Sequence, residues 1–345
     1  MAAKAQRKKT KASPAKIETI AVLGDGGWGT ALALLVFENG HNVRLWSKFP
    51  VYAAEVASTR ENRKFLPGVA IPKEINVTSD AREALDGHTL AVVAIPTQYI
   101  RPTLEEVKSA GPVPRVVSVA KGLENHTLAR PSDVIRQVVS PRETAVLAGP
   151  SHCEEVSRGL PASVVCASRN LDFAREVQNV FSSHRFRVYT NGDPLGVELC
   201  GAVKNVIAIA AGISDALGFG DNAKSALLTR GLVEIVRLGE RLGADSETFY
   251  GLAGLGDLIT TSISPFGRNH RVGFEIGRGR RLDDVLAGME QVAEGVATTK
   301  AVLGLAKTVE VEMPITYEVS RILFEGKDPR QAVVDLMMRS LKDEF

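Results

Sequence analysis

A single lysine stands in one of the most apolar segments of the chain. Lys204 lies within GAVKNVIAIAAG, whose apolar residues lie nearly all round a helix, so the segment is predicted to be buried. A charge in such a helix is costly unless it is paired or used, and desolvation beside other cations lowers the pKa of a lysine. We therefore predict that Lys204 is a general base. The alternative is a lysine whose stem packs while its head reaches solvent.

Three further polar residues have chemistry that suits such a base. Asp257 is the carboxylate of GLGDL, which is predicted to be a glycine-rich turn, and it either orients Lys204, accepts from a substrate hydroxyl or caps the following turn. Arg268 opens a predicted helix and suits bidentate binding of phosphate. Lys121 follows a predicted strand, at the end where open α/β sheets bind ligands. Together the three cations, Lys121, Lys204 and Arg268, predict a pocket for a small, strongly anionic substrate.

A glycine pattern near the start of the chain predicts a dinucleotide site. GDGGWG stands between an apolar strand and a helix, as this fingerprint requires. Gly24 is expected to make the tight turn, Gly26 to let the backbone approach a pyrophosphate, and Gly29 to let helix and strand pack closely. The helix N-terminus then binds the phosphates through its free N–H groups.

The end of the second predicted strand bears on which dinucleotide binds. An acid here binds the ribose 2′-hydroxyl of NAD, whereas a cation binds the 2′-phosphate of NADP. Residues 39–54 contain no Asp or Glu, and Ser47 and Lys48 fall where a 2′-phosphate would lie. We therefore predict NADP(H), with NAD(H) as a further cofactor. Arg44, inside the strand, is expected to be solvated or structural.

The elements that position these residues change in kind along the chain. The first part alternates helical segments with short apolar strands, which are typical of a buried parallel sheet: 19–23, 43–46, 90–95, 116–120, 145–148, 163–166 and 187–189. Helical periodicity follows from residue 195. We predict an N-terminal Rossmann-like doubly wound α/β domain at 17–190 and an all-α, substrate-binding domain at 191–345.

Composition limits the remaining function classes. The 345 residues include 42 basic and 40 acidic side chains, and six of the basic ones lie in residues 1–16 without any acid. This segment is expected to be a disordered tail, and the rest of the chain, with 36 basic and 40 acidic residues, is not expected to bind nucleic acid. The longest apolar stretch, near 206–213, is too short for a membrane span. The three cysteines form neither a disulfide scaffold nor a metal site, so we expect a cytoplasmic protein without metal.

The motifs resemble those of one family, the bacterial-type NAD(P)-dependent glycerol-3-phosphate dehydrogenases. The matching stretches keep the family's order and spacing from about residue 17 to 345: GDGGWGTALA at 24–33, AKGLE at 120–124, AGPS at 148–151, GAVKNVIAIAAGISDALGFGDNAKSAL at 201–227, GLGDL at 254–258, GRN at 267–269 and QVAEG at 291–295. The long block around Lys204, taken with GLGDL, is far more specific than the glycine fingerprint alone.

The resemblance implies interconversion of sn-glycerol 3-phosphate and dihydroxyacetone phosphate for phospholipid synthesis, in a cytoplasmic homodimer, with Lys204 as proton acceptor. The implied substrate contacts are Lys121, Gly149, Ser151, Lys204, Asp257, Gly267, Arg268 and Asn269. The implied cofactor contacts, besides Gly24, Gly26 and Gly29, are Gly27, Trp28, Lys48, Lys121, Cys153, Arg268, Val292 and Glu294.

Four positions depart from the family's common pattern. Gly27 and Gly267 each stand where serine is frequent, Cys153 where alanine is usual, and Lys48 where histidine or arginine is common. Replacing arginine by lysine keeps the charge but loses bidentate geometry. These departures affect the expected affinity for cofactor more than the chemistry. Two other interpretations stay open: a related dehydrogenase of a 3-hydroxy acid or sugar phosphate, and an NADP-binding sensor without turnover.

Overall fold

The computed structural model describes residues 17–341 and 343–344, so the basic segment 1–16 lies outside the described residues. Eight strands form one sheet: β1 Thr19–Leu23, β2 Asn42–Trp46, β3 Asn76–Thr78, β4 Leu90–Val93, β5 Arg115–Ser118, β6 Glu143–Ala148, β7 Ala162–Ala167 and β8 Phe186–Asn191. Their order across the sheet is β3-β2-β1-β4-β5-β6-β7-β8. Every neighbouring pair is parallel except β6 and β7. The predicted doubly wound, mostly parallel sheet is therefore confirmed.

Apolar runs in the sequence predict the central strands of this sheet but not the edge strand β3. In β1 the side chains of Ile20, Ala21, Val22 and Leu23 are all fully buried, as expected for a strand with helices on both faces. The edge strand β3 was missing from the sequence prediction. It has only three residues, and the sequence NVT contains no apolar run that would distinguish it from a loop.

Seven helices accompany the sheet within the described residues: α1 Gly27–Glu38, α2 Pro50–Thr59, α3 Ala81–Leu85, α4 Ile100–Val107, α5 Pro131–Val139, α6 Cys153–Val156 and α7 Leu171–Phe181. The part that follows β8 is helical: α8 Pro194–Ala216, α9 Gly220–Arg241, α10 Ser246–Phe249, α11 Asp257–Ile263, α12 Arg268–Gly277, α13 Leu282–Ala287, α14 Glu294–Thr308, α15 Pro314–Glu325 and α16 Pro329–Met337. The predicted change from α/β to helical structure is confirmed.

Helix α8 is the central helix of the C-terminal part. Its 23 residues include an 18-residue window with a mean hydropathy of 1.5, which is long and apolar enough to cross a membrane by composition. The apolar stretch is thus longer than the sequence analysis recognised. Of that window, 94% is buried inside the protein. The neighbours that cover it are helices α9, α11, α12 and α14.

The glycine-rich segment before α11 is helical, which corrects the predicted turn. Residues Leu252–Gly256 form one π-helical turn that runs directly into α11, so Asp257 is the first residue of a helix. The glycines permit close packing here. A Cβ atom on Gly254 would lie 2.0 Å from the carbonyl oxygen of Phe249. Sequence patterns that equate glycine with turns miss this arrangement.

Candidate active site

The glycine turn between β1 and α1 leaves space beside the backbone. Gly24 has a φ of +116°, and a Cβ atom on Gly29 would lie 2.0 Å from the Gly24 oxygen, so both positions require glycine. A Cβ atom on Gly26 would have no neighbour within 4 Å. Helix α1 then starts at Gly27 without a side-chain cap at its N-terminus. Free amides beside an open backbone fit a pyrophosphate group.

Lys204 is buried in α8 with a carboxylate beside it. Its side chain is 4% exposed, and its Nζ lies 3.0 Å from Asp257 Oδ1 and donates to the Thr261 hydroxyl. Burial lowers the pKa of Lys204 to about 8; Asp257 opposes this effect, and the nearby Lys121 and Arg268 reinforce it. The predicted desolvated lysine is therefore present, with a pKa that allows proton exchange near neutral pH.

Asp257 is shared between two lysines. Its Oδ2 accepts a hydrogen bond of 2.7 Å from Lys121 Nζ, while Oδ1 faces Lys204. Burial alone would raise the pKa of Asp257, but the two ammonium groups lower it below its ordinary value. Lys121 Nζ also donates to the Gly149 carbonyl at 3.1 Å. Asp257 thus fixes both cations in place and remains ionised.

Glu294 joins the helical part of the chain to two loops of the sheet. From the first turn of α14, it accepts hydrogen bonds from the backbone N–H of Thr97 at 2.6 Å and of Lys121 at 3.3 Å. Burial raises the pKa of Glu294, and the two amides oppose this. The Lys121 carbonyl in turn accepts from Asn205 Nδ2 at 3.2 Å. The backbone of Lys121 is therefore held from two sides.

Arg268 and Asn269 begin α12 opposite the lysines. Arg268 Nη1 donates to the Val292 carbonyl at 3.4 Å, and Asn269 Oδ1 accepts from the Gly295 N–H at 2.9 Å. Gly267 precedes the helix and lies close to the Thr261 carbonyl. These contacts position a guanidinium and an amide at the same wall of the site.

All of these groups face one cavity of about 590 Å³ that also contains the glycine turn. The site residues inferred from the sequence line it except Ser47 and Gly149; the Gly149 carbonyl instead accepts from Lys121 and from the Ser151 hydroxyl at 2.9 Å. Cys153 lies near Gly27, and burial raises the pKa of its thiol to about 12. Among the described residues, no group of three or more His, Cys, Asp or Glu side chains is placed to hold a metal ion.

The sequence prediction missed two residues that line the cavity and wrongly placed a third, Ser47, in the site. Thr261 and Asn205 line the cavity beside Lys204. Thr261 lies one helical turn after Asp257, which would have indicated it had the segment been recognised as a helix. The expectation that Ser47 contacts a 2′-phosphate is wrong, because Ser47 is fully buried and does not line the cavity. Lys48 lines the cavity but pairs with Glu106 at 2.8 Å.

A doubly wound sheet whose glycine turn shares one cavity with a buried lysine–aspartate pair defines the class of nicotinamide-dependent dehydrogenases. Comparison with known proteins narrows this class. Residues 19–174 match the NAD-dependent glycerol-3-phosphate dehydrogenase N-terminus, and residues 193–334 match the C-terminus of the same family.

Full-length relatives agree with both matches. The glycerol-3-phosphate dehydrogenase (NAD(P)+) of Geobacillus thermodenitrificans is 50% identical over 334 residues, covering 95% of this chain and 97% of the relative. That of Chlorobium limicola is 50% identical over 329 residues, covering 94% and 99%. The crystal structure of glycerol-3-phosphate dehydrogenase from Coxiella burnetii superposes with a TM-score of 0.90 at 38% identity, covering 94% and 99%. The chain belongs to the NAD-dependent glycerol-3-phosphate dehydrogenase family, which confirms the resemblance.

Proposed function

We propose that this protein is an NAD(P)-dependent sn-glycerol-3-phosphate dehydrogenase, which interconverts glycerol 3-phosphate and dihydroxyacetone phosphate and supplies glycerophospholipid synthesis. The observation that carries this proposal is the single cavity in which the Lys204–Asp257 pair, Lys121 and Arg268 face the glycine turn. Hydride and proton must leave the same carbon–oxygen unit, so the base and the dinucleotide site have to share one space.

Lys204 is the proton acceptor in this proposal. In its neutral form it takes the proton of the substrate C2 hydroxyl, and as an ammonium it returns the proton to the carbonyl oxygen in the reverse direction. Asp257 and Thr261 hold its Nζ in place. The bound nicotinamide supplies the acceptor or donor of the hydride. Lys204 lines the cavity, so the proton that it takes from the substrate leaves to solvent through the cavity before the next turnover.

The cations of the cavity match a phosphorylated three-carbon substrate. Arg268 has the planar donors that bind a phosphate in bidentate fashion, and Asn269 lies beside it. We assign substrate contacts to Lys121, Gly149, Ser151, Lys204, Asp257, Gly267, Arg268 and Asn269. We assign dinucleotide contacts to Gly24, Gly26, Gly27, Trp28, Gly29, Lys48, Lys121, Cys153, Arg268, Val292 and Glu294. Sixteen of these positions line the cavity, which supports the assignment.

We further infer that the two parts of the chain differ in the ligand that they mainly bind. Residues 17–190 form the dinucleotide-binding domain and supply most of the dinucleotide contacts. Residues 191–345 form the substrate-binding domain and supply most of the substrate contacts, with the catalytic lysine in its first helix. In support, β8 ends at Asn191 and α8 begins at Pro194.

The proposal includes a cytoplasmic homodimer. The thiols of Cys153, Cys166 and Cys200 are all buried and free, as suits a reducing compartment. Four exposed apolar side chains lie in the last turn of α16 and just after it, and we call them the α16 stripe: Val334, Met337, Met338 and Leu341. An exposed apolar stripe of this kind is typical of a surface covered by a partner.

The test is oxidation of NADPH and of NADH with dihydroxyacetone phosphate, alongside Lys204→Ala and the exposed-lysine control Lys307→Ala. We expect Lys204→Ala to abolish turnover while dinucleotide binding persists, because the glycine turn is untouched. Lys307→Ala should behave as wild type.

If Lys204→Ala kept more than a small part of the activity, the assignment of the base would be wrong. Turnover of a 3-hydroxy acid in place of the phosphorylated substrate would instead indicate a related dehydrogenase. Binding of dinucleotide without turnover of any substrate would indicate a sensor.

A further inference from the structure

Asp25, inside the glycine turn, has a buried carboxylate oxygen without a partner. The residue is 8% exposed and lines the cavity, and its Oδ2 has no hydrogen-bond partner. Burial raises the pKa of this carboxyl, and the Ser47 hydroxyl opposes the effect. A buried polar atom that stays unpaired is costly, and Asp25 is a residue of the cavity wall, so this oxygen is a candidate acceptor for a hydroxyl of a ligand.

The position of Asp25 relates it to the ribose rather than to the reacting end of a dinucleotide. Strands β1 and β2 are parallel neighbours, with Leu23 paired to Trp46, so Asp25 and Ser47 follow the carboxyl ends of adjacent strands. In Rossmann folds an acid at the end of the second strand binds the ribose 2′-hydroxyl. This chain has no acid at residues 39–54, and the Asp25 carboxylate lies beside that strand end instead.

A buried asparagine holds Asp25 in place. Asn62 is fully buried, and its Nδ2 donates to the Asp25 carbonyl and to the Thr30 hydroxyl, each at 2.7 Å. Its Oδ1 accepts from the Tyr52 hydroxyl at 2.5 Å and from the Phe65 N–H at 3.1 Å. Because all of these groups are satisfied, the backbone that carries the Asp25 carboxylate is fixed before any ligand binds.

Two cations at this strand end are already paired with acids. Lys48 lies 2.8 Å from Glu106, and Arg44 donates to the Glu83 carbonyl at 2.8 Å and pairs with Asp86. A 2′-phosphate would therefore meet a lysine whose charge is countered, next to a carboxylate. These charges favour a hydroxyl donor over a phosphate at this position.

We propose that Asp25 is a specificity-determining residue: its carboxylate accepts a hydrogen bond from the 2′-hydroxyl of the adenosine ribose and disfavours a 2′-phosphate, so that NAD(H) binds better than NADP(H). The inference rests on the proposed function, since it concerns the dinucleotide of the same site. It reverses the preference for NADP(H) that was predicted from Ser47 and Lys48.

The test measures binding of ADP-ribose and 2′-phospho-ADP-ribose by calorimetry, because neither probe can be turned over. The variants are Asp25→Asn, which keeps the shape, and Asp25→Ala, with the exposed Asp172→Asn as matched control. We expect wild type and Asp172→Asn to bind ADP-ribose about tenfold or more tightly than its 2′-phosphate. Asp25→Asn should reduce that ratio by about tenfold, as for loss of one hydrogen bond to a charged group.

Three results would overturn the inference: preference of wild type for the 2′-phosphate, an unchanged ratio in folded Asp25→Asn, or no binding of either probe. Circular dichroism establishes folding, and Asp25→Asn decides the question if Asp25→Ala does not fold. Failure of the proposed function looks different, because the probe ratio would hold while glycerol 3-phosphate and dihydroxyacetone phosphate went unreacted. Conversely, if the enzyme turns over these substrates but Asp25→Asn leaves the probe ratio unchanged, this inference is wrong and the proposed function stands.

Discussion

Lys204 is held between its charged and neutral forms by two opposed effects. Burial lowers its pKa to about 8, and the Asp257 carboxylate at 3.0 Å limits that decrease. A base near this value is deprotonated often enough to take a proton at physiological pH and still able to return one. The charge of Asp257 therefore sets the pH range in which each direction of the reaction runs.

The pH dependence should reflect this balance. Oxidation of glycerol 3-phosphate requires neutral Lys204, so its kcat/KM should rise with pH through about 8, whereas that of reduction should fall over the same range. Asp257→Asn removes a charge that raises the pKa of Lys204, so the rising limb should move to lower pH, together with a loss of kcat of about 10-fold or more. Profiles of kcat/KM against pH in both directions measure the shift.

The exposed Asp283→Asn variant is the control for that experiment, and it should leave both profiles in place. A rising limb that stayed at the same pH in Asp257→Asn would show that Lys204 is not the titrating group.

At the scale of elements, the contact between α9 and the start of α15 contains a buried carboxylate, that of Glu234. Glu234 is 3% exposed and accepts hydrogen bonds from the Ile315 N–H at 2.6 Å and the Thr316 N–H at 3.3 Å. These are free amides at a helix N-terminus, where a carboxylate is favoured. Burial nevertheless prevails and raises the pKa of Glu234 to about 7.

This raised pKa predicts a pH-dependent stability. The unfolded carboxyl loses its proton first as pH rises from about 4.5 to 7, so the folded state loses stability over that interval. Glu234→Gln does not titrate, and its free energy of unfolding should therefore increase relative to that of wild type between pH 5 and pH 8. Urea unfolding at both pH values measures the difference. The exposed Glu240→Gln, on the same helix, should follow wild type, and a constant gap between Glu234→Gln and wild type would contradict the prediction.

At the scale of the whole molecule, the α16 stripe is an exposed apolar surface that a partner would cover. Met337 is 77% exposed, Met338 79% and Leu341 100%; Met337 is the last residue of α16, and the other two follow it. Such side chains gain about 25 cal/mol for each Å² of apolar surface removed from water. We expect these side chains to be buried in the homodimer proposed above.

The variant Met338→Glu should therefore weaken the dimer, since it places a charge in an apolar contact. Size-exclusion chromatography with light scattering should show a dimer for wild type and a shift of most of the protein to monomer for the variant. Val51→Glu, at a site that is 85% exposed on α2, is the control and should remain dimeric. A monomeric wild type, or equal dissociation by both variants, would exclude this interface.

The sequence by itself determined the order and type of most elements, the glycine turn and the burial of Lys204. Each of these depends on local rules: apolar periodicity selects strand or helix, and a left-handed φ at Gly24 requires glycine. Local rules failed where the local signal is weak, as at the short edge strand β3 and the π-helical turn before Asp257.

Only the tertiary structure decided how the charges of the site are paired. Lys121, Lys204 and Asp257 are far apart in sequence, and their shared pairing depends on how α8 and α11 pack at the end of the sheet. The same holds for Lys48, whose partner Glu106 comes from α4, and for the buried Ser47. A residue type indicates which interaction a side chain can make, but the distance and burial that decide which one it does make arise only when separate elements pack together.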